Sequence, residues 1–147
     1  MAAVVVLPPK QVVLEACRGL PPEDHVVLTC ACRLTELHER RLSTAQTWDI
    51  DRLRAELVHE IDRWVTEELP AAEPDARLHT ETVGTVIDRL AQFSALAYLS
   101  LTQSPESAIL DAWRRLSELA VAYDDLAAEL TSGRCRLPYL GHHEYEH

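Results

Sequence analysis

The stretch TWDIDRLRAELVHEIDRWVTEEL, residues 47–69, sets Ile50, Leu53, Leu57, Ile61 and Trp64 at intervals of three and four. That spacing follows the 3.6-residue turn of an α-helix and collects the apolar side chains on one face. Working towards the N-terminus, PPEDHVVLTCACRLTELHERRL (21–42) repeats the pattern, with Val27, Ala31, Leu34, Leu37 and His38 on one stripe. A short helix precedes it in LPPKQVVLEACRGL (7–20), with prolines at its start and Gly19 at its end. Towards the C-terminus, PAAEPDAR (70–77) reads as a proline-bearing loop. Thr80 is the expected N-cap of the next helix, which runs to about Thr102 with Glu81 at its positive end. SPES (104–107) restarts the chain, with Ser104 as cap and Pro105 in the first turn. The last helix carries Ile109, Trp113, Leu116, Ala120, Tyr123 and Leu130 and stops near Gly133.

The expected fold class is all-α: an antiparallel bundle of four long helices plus a short N-terminal helix, forming one domain over residues 1–147. Residues 1–8 are expected as an extended arm, packed on the domain or on a second copy, and residues 134–147 as an irregular tail. Only four glycines are present, and the eight prolines sit at element boundaries, which favours long helices over strands and turns.

Charge narrows the partners. With 14 basic and 24 acidic residues the net charge is −10, which repels a phosphate backbone and an anionic membrane surface alike. Neither nucleic acid nor membrane is therefore an expected partner. MAAVVVLPP lacks the basic leader of a signal peptide and the length of a membrane span. Cys30 and Cys32, in CAC, point about 200° apart on a helix, the wrong arrangement for a zinc pair. Together with Cys17 and Cys135 they read as free thiols of a cytoplasmic protein. No glycine-rich phosphate loop, Gly-x-Ser-x-Gly elbow or Cys-x-x-Cys pair occurs, so no cofactor is expected.

The polar residues that resist a purely apolar reading lie in HTETVGTVIDRL, residues 79–90. Seven residues, or about 10.5 Å of helix, separate Glu81 from Asp88, too far for both to hold one metal ion but suited to two ends of a small molecule. Gly84 lies between them; a glycine in mid-helix costs about 1 kcal/mol relative to alanine, so a neighbouring helix or a ligand needs the room. Two readings stay open for Asp88: an ion pair with an arginine of another helix, or the wall of a wet pocket. His38, on the apolar stripe of its helix, is either a satisfied core residue or a general acid or base, since an imidazole titrates near neutral pH. Asp51, Arg54 and Asp62 fall along one flank of the third helix and can support it, or form ordinary ion pairs.

Other constellations carry less. Glu56 and His59 have the Glu-x-x-His spacing of di-iron bundles, but they share the face of Arg52, Glu60 and Arg63 and no second copy exists. Glu36 and Glu39 match half of the carboxylate pattern of all-α nucleotide pyrophosphohydrolases; the Glu-x-x-Asp half is missing. His142, His143 and His147 are assigned no role, and no metal site is expected.

LHER (37–40), IDRW (61–64) and HTETVGTVIDRLA (79–91) together resemble a bacterial family of short proteins known only as a domain of unknown function. Its pattern joins a Trp/Leu-His-x-Glu-like helix, an Ile-Asp helix and a His/Asn-Thr-Glu…Asp-Arg-Leu segment, and the resemblance spans roughly residues 7–138. It falls on His38, Asp62, Thr80, Glu81, Asp88 and Arg89; at His79 other members carry asparagine. Members occur beside sugar-transfer genes or in specialised-metabolite clusters, which implies small polar substrates without naming a reaction. The expectation is a homodimer that binds or modifies a small polar metabolite inside the bundle. His38 would move protons, while Glu81, Asp88, Arg89, Thr80, Asp62, Arg54 and Asp51 would hold the ligand. The alternatives are a non-catalytic helical interaction module and a divalent-metal nucleotide hydrolase.

Overall fold

A computed structural model describes residues 5–20 and 23–138. The start of the arm and the terminal histidines His142, His143 and His147 lie outside the described residues. The chain is all-α: α1 (Lys10–Cys17), α2 (Val26–Arg41), α3 (Trp48–Glu68), α4 (Val83–Gln103) and α5 (Glu106–Thr131), with two short strands, β1 (Arg77–Leu78) and β2 (Cys135–Arg136).

Helix α4 packs against α1, α2, α3 and α5. Its sequence explains why. Val83, Val86, Ile87 and Leu90 supply apolar bulk, while Gly84, Ala91, Ser94, Ala95 and Ala97 let neighbouring helices approach, and all are buried. The stripe on α2 is buried as its period requires, with Val27, Ala31 and Leu34 fully enclosed and His38 only 5 % exposed. On α3, Ile50, Leu57 and Ile61 enter the core, whereas Leu53, expected on the same face, is exposed.

The ends of the helices are tied individually. His25 caps α2, its Nδ1 accepting the Val27 N–H at 3.0 Å, and its ring lies 4.6 Å from that of Trp64. Tyr123, fully buried in α5, donates its hydroxyl to the Pro8 carbonyl at 2.6 Å, and Leu7 beside it is buried. Gly133, with φ of +74°, ends α5 in the left-handed conformation that only glycine adopts without cost.

Three details depart from the sequence reading. The tail is not wholly irregular, because Cys135–Arg136 pairs in parallel with Arg77–Leu78. Pro105 rather than Ser104 occupies the N-cap of α5, its fixed φ of −69° leading into the first turn. The cap of α4 is Thr82, not Thr80: its hydroxyl accepts the Thr85 N–H at 3.3 Å, and the helix begins at Val83. The reason lies in β1, which holds residues 77–78 extended and leads into a turn closed by the Glu81 N–H donating to His79 Nδ1 at 3.2 Å. Glu81 therefore precedes the helix instead of sharing its stripe with Asp88.

Candidate functional site: a histidine–aspartate–arginine network

Six polar residues are buried among the described ones, and only two of them, His38 and Asp62, are of ionisable type. Each meets α4 at a different turn.

Asp62 reaches from α3 to the first turn of α4, where its Oδ1 accepts the Gly84 N–H at 2.7 Å. A carboxylate at a helix N-terminus satisfies an otherwise orphaned donor and complements the helix dipole. The close approach depends on Gly84. A Cβ at that position would lie 2.5 Å from the Val58 carbonyl oxygen and 2.7 Å from Asp62 Oδ1. The room left by the glycine is thus taken by the backbone of α3.

One turn further along α4, Asp88 meets two partners from two helices. His38 Nε2 lies 2.7 Å from Asp88 Oδ1, and Arg54 closes a fork on the same carboxylate, with Nη2 2.7 Å from Oδ2 and Nε 3.3 Å from Oδ1. The chain of charges continues outward: Arg54 Nη1 donates to Asp51 Oδ1 at 2.9 Å, and Arg41 Nε to the same oxygen at 3.0 Å. Burial falls along this chain, from His38 at 5 % exposure through Asp88 at 18 % to Asp51 at 40 %. Burial pushes the Asp88 carboxyl upward, but the hydrogen bonds from His38 and Arg54 outweigh it and hold the group below its ordinary value. Asp88 is therefore ionised at neutral pH, and an ionised carboxylate only accepts, so His38 Nε2 carries the proton.

This leaves Nδ1. Among the described residues it has no hydrogen-bond partner, yet the atom sealed from solvent without a partner is Trp113 Nε1, not His38 Nδ1. His38 borders a small hollow of about 50 Å³ together with Arg41, Leu42, Gln92, Ala95 and Leu96. Chemically, an imidazole oriented by a carboxylate and bordering a hollow the size of a water or a small functional group can exchange a proton with a group bound beside it.

The remaining sequence candidates lie elsewhere. Glu81 and Arg89 pair with each other, with Arg89 Nη1 3.2 Å from Glu81 Oε2 and both side chains about a third exposed or more. Thr80 is exposed. Glu56 pairs with Arg52 on the outer face of α3, and Glu36 and Glu39 are exposed on α2. Among the described residues no three His, Cys, Asp or Glu side chains gather as metal ligands. The four cysteines are unpaired thiols. Among the described residues no helix is long and apolar enough to cross a membrane. Sequence reasoning passed over Arg41 and Gln92; the available signal was helical spacing, since Arg41 follows His38 by three residues and Gln92 follows Asp88 by four.

Fold and network define an all-helical chain with a His–Asp–Arg constellation that runs outward from the buried His38. A family model for a protein of unknown function (DUF4254) matches residues 32–138, and the chain belongs to that family. The match contains every residue of the network, from His38 to Asp88. No curated protein and no solved structure matches the chain.

Proposed function

We propose that the protein binds and modifies a small polar metabolite by proton transfer within an antiparallel helical bundle, with His38 as the general acid or base. The observation that carries this reading is the 2.7 Å contact between His38 and an ionised Asp88 beside an open hollow. Asp88 has both oxygens occupied and acts as the positioning residue, supported by Arg54 and Asp51. Asp62 is structural in this reading, because it fixes the start of α4. The Glu81–Arg89 pair and the exposed Thr80 are proposed to meet the ligand from outside the network.

The test is a panel of small polar metabolites screened by melting shift, with binders followed through the His38 imidazole resonances. A binder should move the His38 signals in wild type and lose its chemistry, but not its binding, in His38→Gln. Glu81→Gln reports on the Glu81–Arg89 pair. Binders that leave His38 unmoved overturn the proposal.

A second reading is a non-catalytic homodimer or interaction module. Leu110 and Val121, 60 % and 48 % exposed, lie three turns apart on α5 and so share an outer face. Light scattering at micromolar concentration decides it; a mass of 16.6 kDa means a monomer.

A further inference from the structure

We propose that the groove between the C-terminal end of α1, α2 and the C-terminal half of α4 binds a zwitterionic, amino-acid-like ligand with an apolar side chain. For its link to His38 this rests on the function proposed above. The groove has a volume of about 560 Å³, within the usual range for small-molecule sites. Thr35 and Ser94, both almost fully buried, line it, with the Thr35 hydroxyl donating to the Ala31 carbonyl at 3.0 Å. Leu42 and Leu99 supply apolar surface, and Arg18 and Glu39 supply one charge of each sign.

Those two charges decide the ligand class. Among the described residues neither Arg18 nor Glu39 belongs to an ion pair, and both line the groove. The Arg18 guanidinium lies 5.5 Å above the Tyr98 ring. Stacking on an aromatic face steadies the group and leaves its planar edge of N–H donors free for a carboxylate. Glu39 offers the matching acceptor for an ammonium group. A single arginine opposed by a glutamate disfavours polyanions, and the apolar wall disfavours a ligand with no hydrocarbon. Leu42 and Ala95 line both this groove and the hollow beside His38, so the two spaces adjoin.

The test uses the full chain with four probes: phenylalanine, phenylalaninamide, N-acetylphenylalanine and 3-phenylpropionate, measured by calorimetry. Phenylalanine should bind at least tenfold more tightly than each analogue. Arg18→Gln should erase its advantage over the amide, and Glu39→Gln its advantage over the acetylated and deaminated forms. Both residues are exposed, so these variants keep the core intact. Equal affinity for all four probes, no binding of any, or preferences unchanged in both variants overturn the proposal. The two proposals fail separately. Charge-selective phenylalanine binding with unmoved His38 resonances sinks the proton-transfer function and leaves the groove standing; uncharged ligands that move His38, with no response to phenylalanine, do the reverse.

Discussion

Replacing Asp88 by asparagine changes one atom and two contacts. In the native protein Oδ1 receives His38 and Oδ2 receives the stronger arm of the Arg54 fork. The amide oxygen will stay on Arg54 Nη2, the shorter arm, at the cost of the 3.3 Å contact between Oδ1 and Arg54 Nε. Its NH2 group then points at His38 Nε2, and the imidazole must move its proton to Nδ1 to accept it. With Nε2 accepting the amide N–H and Nδ1 protonated, the imidazole has no free acceptor nitrogen and its capacity as a base is lost. Stability falls as well, because a charge-assisted fork becomes a neutral bond; about 1–3 kcal/mol is expected for partners this well shielded. For a chain of this size each kcal/mol moves the melting temperature by about 2–4 °C, so the fall should lie between roughly 2 and 12 °C. Long-range proton–nitrogen NMR of the imidazole reads the tautomer directly, and calorimetry reads the melting shift. An unchanged Nε2-protonated tautomer in Asp88→Asn would refute the argument, whatever the stability.

Three further outcomes are expected. Gly84→Ala should lower the melting temperature despite alanine's better helix propensity, since its methyl would sit 2.5 Å from the Val58 carbonyl oxygen; a net cost of about 1–3 kcal/mol follows, and a rise in melting temperature would contradict it. Because Asp88 is held below its ordinary value, its contribution is complete above the unfolded carboxyl range and disappears as pH falls through the folded value; urea melts at pH 5 and pH 3 should therefore show a smaller acid loss in Asp88→Asn than in wild type. Tyr123→Phe leaves the buried Pro8 carbonyl without the donor now 2.6 Å away; a loss of about 1–2 kcal/mol and faster proteolysis before Lys10 should accompany it.

Periodicity exposed the helices because burial imposes it: Val27, Ala31, Leu34 and His38 on α2 follow the stripe residue by residue. The start of α4 escaped because two threonines, Thr80 and Thr82, are equally good caps locally. A contact 58 residues further on, Arg77 with Cys135, keeps the chain extended past the first of them. Partnership across helices escaped for the same reason. The pairing of Asp88 with an arginine was one of two open readings, but its choice of Arg54 together with His38 depends on how three helices meet. The odd glycine was the legible clue, and it pointed to a close approach without saying by what.

The contact at Gly84 also works as a length standard. Along α4, Gly84 and Asp88 are one turn apart; along α3, their partners Asp62 and Arg54 are two turns apart, with Val58 midway. Pinning backbone against backbone at Gly84 leaves α4 no freedom to slide along α3, so the carboxylate four residues later arrives at a set depth. A shift of one residue there would rotate Asp88 by about 100° and part it from both His38 and Arg54. Substitutions at position 84 should therefore be felt on another helix, as a loosened contact between Asp88 and His38.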